Sequence, residues 1–406
     1  MKTIMVLAAG PLQIPAIATA KRLGLRVIAV DADPKAPGLA LADVRRIVDI
    51  TDYEACFAVA REDNPHGAIQ ICSEVSIPVI GRLNDALGWH GISAKVAIRA
   101  TNKHLMRQAF AAGGAPSPRS FGVSTEEEAA VAGALIAGPK IVKPSRCSGS
   151  RGVTRIAEDA RGSELVAAFR RALSFSADRG VVIEEFIDGP EFSVEMLIWN
   201  GRSHVLTVTD KVTTGAPYFV ETGHSQPSLF SGADRKRIED AAIAGVRALG
   251  LDWTAAHAEV RLGAGGPEIM EIGARLGGDF ITTELVPRST GIDMVAGAVR
   301  LALGEEPDLT PRHPPRGAAI RYLTPRPGRI TAISGLEAAR RSPEVRIVDV
   351  YVSAGETVPE ITSSLSRSGH VIAEGVTAED AIRSAEAARD TIRIETVSSS
   401  GDAGAC

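Results

Sequence analysis

The chain has 406 residues, 45% of them hydrophobic and 23% charged, with a net charge of −4 at pH 7. That composition belongs to a globular protein long enough for two or three cored domains. Mild acidity excludes a general attraction to nucleic acid or anionic membrane, and no apolar run approaches the roughly 20 residues of a membrane span, so neither is an expected partner.

The opening "TIMVLAA" is an apolar run, "LQIPAIATAKRLG" carries helical periodicity and "LRVIAVD" is a second run. This strand–helix–strand unit predicts a parallel sheet, and the start reads as a buried strand rather than a signal peptide. "VRRIVDI", a helix near 52–63 and "GAIQICS" repeat the alternation, so residues 1–95 are expected to form a small doubly wound domain. Gly10 and Asp31 invite a dinucleotide-binding reading, but G-x-G-x-x-G is absent, which leaves Asp31 as a strand-end turn residue or a substrate-side contact. Cys56, Cys72, Cys147 and Cys406 share no close spacing and read as reduced thiols of a cytosolic protein, giving a cytoplasmic expectation.

"ATNKHLMRQAFAAGGAPSPRS" predicts a helix carrying Lys103 and Arg107, stopped by Gly113-Gly114 and prolines. In "KIVKPSRCSGSRGV" a lysine, Lys143, ends a strand before a Ser/Gly-rich loop containing Arg146 and Arg151. Such a loop brings backbone N–H groups and a point charge to an anion; on its own it is equally a solvated surface loop. "VVIEEFIDGPEFSVE" then offers an apolar slot edge for a purine at Glu184, Glu185, Phe186 and Ile187, with Glu191 for ribose hydroxyls; the bland alternative is a hairpin with exposed acids. "HAEVRLGAGGPEIMEIGARLGG" is a β-hairpin whose Glu259 and Glu271 can project to one face. Convergent carboxylates repel unless a hard cation lies between them, and oxygen ligands suit Mg2+; Arg275 then lies where a transferring phosphoryl group would be. A buried Glu–Arg pair without ligand is the alternative. Beyond 300, "RGAAIRYLTPRPGRI" is β-rich, and a last strand–helix–strand has Thr377 as N-cap with Asp380 three residues on.

As an ordered set, Lys103, Lys143 with its loop, the hinge "EEFIDGPEFSVE", and Glu259 with Glu271 and Arg275 resemble the ATP-grasp superfamily of carboxylate–amine ligases, over roughly residues 1–300 and more weakly beyond. The resemblance implies mixed α/β and α+β architecture. A Rossmann-like domain (1–95) would precede an ATP-grasp domain (96–300) with a small lid subdomain at about 115–190. A C-terminal α+β segment (301–395) would complete the site, ahead of a disordered tail (396–406). It further implies that Lys103 and Lys143 contact ATP, that Ser148, Gly149, Ser150, Arg151 and Gly152 fold over the triphosphate, and that Glu184, Glu185, Phe186 and Ile187 hold adenine. Glu191 would hold ribose, Glu259 and Glu271 would bind Mg2+ (or Mn2+), and Arg275 would stabilise an acyl phosphate. Where many members carry Asn, this chain has Gly273, which throws metal coordination onto water or a bridging Glu271.

"VTDKVTTGAPYFVETGHSQPS" resembles the L-amino acid ligase branch, which implies Lys211 on the nucleotide side, Glu221 beside an α-ammonium and His224 beside a carboxylate or the attacking amine. A homodimer is what the family implies. The partners expected are a small-molecule carboxylate and an amine, both amino acids, joined through an acyl phosphate with release of ADP and phosphate. The rival readings are an ATP-grasp enzyme of purine type (carboxylase or formate-using) acting on a phosphorylated ribonucleotide, a nucleotide-binding regulator without catalysis, and an NAD-dependent oxidoreductase.

Overall fold

Residues 1–147, 149 and 151–397 are described by a computed structural model of the chain. The N-terminal sheet is parallel, in the order β3-β2-β1-β4: β1 (Thr3–Leu7), β2 (Arg26–Asp31), β3 (Val44–Ile47) and the short β4 (Ala68–Ile69), with α1 (Ile14–Arg22) and α2 (Tyr53–Asp63) as crossovers. Every residue of β1 is buried, as a parallel strand covered on both faces requires. Asp31 closes a turn: its carboxylate accepts the Ala9 and Asp33 amides at 2.7 and 2.9 Å.

Three helices follow, α3 (Ile77–Leu87), α4 (Ala94–Thr101) and α5 (Lys103–Gly113). The helix expected to run through "ATNKHLM" therefore begins at Lys103. Asn102 leaves the helical region (φ −125°) and its side chain caps the Leu105 amide at 3.0 Å. A second, antiparallel sheet, ordered β5-β8-β6-β7, is built from β5 (Ser120–Val123), β6 (Lys140–Pro144), β7 (Thr154–Ile156) and β8 (Val181–Glu185). α6 (Glu126–Leu135) and α7 (Gly162–Phe175) pack on it around a separate core that includes Val142, Phe169 and Ile183.

The largest sheet is antiparallel and eight-stranded, β13-β12-β9-β10-β11-β14-β18-β16. It takes in β9 (Glu191–Trp199), β10 (Arg202–Thr213), β11 (Glu221–Gln226), β12 (Thr254–Gly263), β13 (Gly266–Gly273), β14 (Gly317–Tyr322), β16 (Val345–Val350) and β18 (Gly369–Gly375). α8 (Gly232–Leu249) covers the hairpin β12–β13, and α10 (Met294–Ala302), after the short α9 (Val286–Thr290), joins this sheet to the N-terminal domain. Strands from both sides of residue 300 thus share one sheet. A small sheet β17-β15-β19 (Thr357–Val358, Gly328–Ser334, Arg393–Val397), with α11 (Leu336–Arg340) and α12 (Ala378–Thr391), closes the C-terminal end.

"EEFIDGPEF" is where the chain leaves the small sheet for the large one. Gly189 has φ +140°, and a Cβ there would lie 2.1 Å from the Leu262 carbonyl oxygen, so only glycine lets the hinge press against the β12–β13 turn. The Leu262 amide donates to the Pro190 carbonyl at 3.0 Å, fixing that contact.

Candidate active site

β12 and β13 place Glu259 directly opposite Glu271, with His257 and Arg261 on the same face of β12 by the period of two. The register slips beside this pair, and Met270 bulges out so that its carbonyl accepts Arg107 at 2.7 Å. Two facing carboxylates repel, and each has recruited a cation. Lys103 Nζ lies 2.8 Å from Glu271, and Lys211 Nζ lies 2.9 Å from Glu259. His257 Nε2 is 3.6 Å from Glu259, while its Nδ1 bonds the fully buried Glu195 at 2.8 Å. Burial would lower the His257 pKa, but the Glu195 and Glu259 carboxylates raise it to about 9. Burial works against an ionised Glu259 too, yet Lys211 and His257 hold it well below the usual carboxylate range.

Lys211, 2% exposed, is enclosed by three acids: Glu191 at 2.6 Å, Glu259 at 2.9 Å and Glu221 at 3.6 Å. Desolvation alone would depress its ammonium; the carboxylates drive it well above normal. Glu191 also accepts Arg261 at 2.8 Å. Glu221 accepts the Ser364 hydroxyl at 3.0 Å, which brings the C-terminal segment to the rim. His224, on the interior strand β11, is 1% exposed and faces Asp279 at 3.4 Å, beneath the surface of the cleft rather than on it.

The opposite wall inverts this arrangement. Glu184, 2% exposed, is one acid between two cations, Lys143 and Arg107 (2.9 Å). Burial would raise its pKa, but Arg107 and Lys143 lower it; burial lowers Lys143, and Glu184 only partly offsets that. Lys143 thus emerges from the lid sheet as part of a cation-rich corner. Gly149 and Arg151 line the cleft from the β6–β7 loop, and Gly152 (φ +75°) turns that loop against Pro144 and Phe175. Ser148 and Ser150 lie outside the described residues. At the hinge, Phe186 packs against Phe219 (6.1 Å between centroids), with Arg155 4.5 Å over its ring; Glu185 and Ile187 complete this edge, and Met270 and Ile141 face it.

Arg275 leaves the end of β13 and donates to Glu74 at 2.9 Å and to the Leu276 carbonyl at 3.1 Å, while its Nε has no partner. Burial raises the Glu74 carboxyl above its ordinary range, with Arg275 opposing. Together these walls enclose about 1160 Å³, part of it open to solvent, room for a nucleotide and a second small molecule.

The cleft therefore gathers Lys103, Lys143, Gly149, Arg151, Glu184–Ile187, Glu191, Glu221, Glu259, Glu271 and Arg275, with Lys211 just behind the carboxylates. Sequence reasoning passed over Glu74, His257, Glu195 and Arg261. For His257 and Arg261 a signal existed, since both share parity with Glu259 on one strand. Among the described residues no group of three or more His, Cys, Asp and Glu is arranged to hold a metal ion by itself. The facing pair Glu259–Glu271 offers all-oxygen donors, which fits a hard divalent cation completed by phosphate or water oxygens. No helix among the described residues is long and apolar enough to cross a membrane.

Comparison with known proteins gives matches to the ATP-grasp domain over residues 136–284 and to the L-amino acid ligase C-terminal domain 2 over 321–397. An uncharacterised protein, y4rH, of Sinorhizobium fredii is 27% identical over 362 residues, covering 87% of this chain and 74% of that one. The alanine–anticapsin ligase of Bacillus subtilis is 28% identical over 263 residues, 60% of this chain and 55% of its own length, so the chain spans only about half of that relative. Among solved structures, an L-amino acid ligase from Bacillus licheniformis superposes with TM-score 0.83 at 24% identity (98% and 99% of the two chains). A phosphoribosylglycinamide synthetase from Anaerococcus prevotii gives 0.78 at 22% (98% and 100%), a likeness of fold.

Proposed function

The chain belongs to the ATP-grasp carboxylate–amine ligases, and from that premise we propose that it joins the carboxylate of one amino acid to the amine of a second, at the expense of ATP, through an acyl phosphate. The observation that carries this reading is the facing of Glu259 and Glu271 across one hairpin, with Lys103, Lys143 and the half-satisfied Arg275 around the same cleft. Sites for binding alone do not need an arginine with a spare donor at the place where a phosphoryl group would arrive.

The donor carboxylate attacks the γ-phosphorus of ATP; its bond to the bridging oxygen breaks and ADP leaves. The amine then attacks the acyl carbon, sheds a proton, and inorganic phosphate departs. Lys103 and Lys143 neutralise phosphate oxygens, and Arg275 takes the charge that builds on the transferred group and on the tetrahedral centre. Glu259 and Glu271 would hold Mg2+, which when bound screens the triphosphate charge. Glu191 receives the ribose, the edge formed by Phe186 and Ile187 the adenine, and Glu221 an ammonium group. The β6–β7 loop excludes the water that would hydrolyse the intermediate.

The test is ADP and phosphate formation across a matrix of paired amino acids, with mass spectrometry of active wells. Turnover requiring two amino acids, with a product one water lighter than their sum, is expected. Turnover only with a phosphorylated ribonucleotide would move the chain to purine-type chemistry. Arg275→Ala should fold and lose about 10²–10³ in kcat; wild-type turnover in that variant would remove the role given to Arg275.

A further inference from the structure

The Glu74–Arg275 pair is built unlike an ordinary buried ion pair. Its two side chains are only 13% and 14% exposed, and Glu74 comes from the loop after β4, in a different domain from Arg275. A structural pair would be covered on all sides, because each open face loses contacts and leaves donors unmet. Here one face is open. Position 273 is glycine, and a Cβ there would lie 3.1 Å from both the Arg275 Cζ and the Glu74 Oε1. Bare backbone thus leaves room over the cation and the anion together, on the side where both line the cleft. Arg275 Nε, buried and without a partner, lies in that same space, 3.2 Å from the ideal Cβ position.

We propose that Glu74, Arg275 and the gap left by Gly273 form a cradle for the zwitterion of an α-amino acid, the carboxylate donor of the reaction: its carboxylate goes to Arg275 and its α-ammonium to Glu74. The proposal rests on the ligase reading above and deepens it. A simple carboxylic acid finds Arg275 but is repelled by Glu74, which lies 2.9 Å from the guanidinium. An α-amino acid carries both charges on neighbouring groups and satisfies both residues at once. Glu74 therefore selects for the amino group and against its absence, by repulsion as much as by attraction. Because Glu74 belongs to the N-terminal domain, that domain takes a direct part in choosing the donor.

The experiment compares the best amino-acid donor from the ADP-release matrix with its des-amino carboxylic acid, in the wild type, Glu74→Gln, Glu74→Asp and Gly273→Ala. In the wild type the des-amino acid should be poorer in kcat/KM by about 10⁴-fold, the discrimination expected where a site's polar group is left unpaired. Glu74→Gln should lower kcat/KM for the amino acid by about 100-fold, through KM, and leave the des-amino acid unharmed or improved. KM for ATP and for the acceptor amine should not move, and Glu74→Asp should restore part of the preference. Gly273→Ala removes no charge but crowds both partners, and should erode the same preference; if Glu74→Gln fails to fold, this variant carries the test. Equal losses toward both donors would mean that Glu74 only steadies Arg275, and would overturn the cradle. A wild type that uses the des-amino acid as readily would overturn it too while leaving carboxylate–amine ligation intact. No ADP with any carboxylate would remove both readings.

Discussion

The two walls of the cleft solve the same electrostatic problem with opposite signs. On the lid side Glu184 is one buried acid between Lys143 and Arg107; on the floor Lys211 is one buried cation among Glu191, Glu221 and Glu259. Each cluster carries a local surplus, positive above and negative below. A triphosphate with a divalent cation has the complementary pattern, anionic oxygens on one side and a metal on the other. The contrast teaches that the pairing of a buried cluster says less about its role than the sign of its surplus.

The largest expected effects come from removing the central charge of either cluster. Glu184→Ala strands two buried cations, and Lys211→Met strands three carboxylates. Each should cost about 3–5 kcal/mol of stability, read by chemical denaturation. The comparison sharpens when Mn2+ is added. Lys211→Met frees Glu259 from its competitor, so a cation at about 100 times its Kd should return roughly 2.7 kcal/mol. Glu184→Ala should gain no more from Mn2+ than the wild type. Equal recovery of the two variants would break the distinction between the walls.

A smaller effect belongs to the floor alone. In the metal-free protein His257 has its pKa raised to about 9 by Glu195 and Glu259 after burial is overcome. A raised folded-state value means that its stabilising contribution is complete below the unfolded pKa of about 6.5 and is lost as pH climbs through about 9. That loss amounts to about 3 kcal/mol at most. His257→Gln should flatten the stability profile between those limits, as measured by denaturation midpoints across pH. A wild-type profile that is already flat there would show that His257 carries no charge in this environment.

What the sequence revealed follows from distance along the chain. Period-two runs and the Gly-turned hairpin showed β12 and β13, so Glu259 and Glu271 were legible as a pair, and the register bears out their facing. Lys143 was legible because its strand ends in a Gly/Ser loop. Glu74 was not: it meets Arg275 across 201 positions, from a loop whose neighbours give no pattern. Glu195 and His257 pair through adjacent strands 62 residues apart, and each alone reads as a core position. His224 owed its prominence to the resemblance alone, and its burial follows from β11 lying between β10 and β14, which one sequence does not specify. The break at Asn102 was readable as an N-cap, but the apolar spacing on both sides concealed it.

The smallest expected effect tests whether the charge contrast is confined to the cleft. At the far end of the molecule, the Thr377 hydroxyl accepts the Asp380 amide at 3.2 Å and the Asp380 carboxylate accepts the Thr377 amide at 3.1 Å, a complete capping box at the start of α12. Thr377→Ala removes one side of it and should cost about 1 kcal/mol. Nothing in that box faces a ligand, so the loss should be the same with and without Mn2+ and ATP, and kcat should stay at the wild-type value. A ligand-dependent loss would mean that α12 transmits strain to β14 and β18, against which it packs. Those strands lie in the same sheet as the carboxylate-bearing β12 and β13, and the cleft could then no longer be treated as two local clusters.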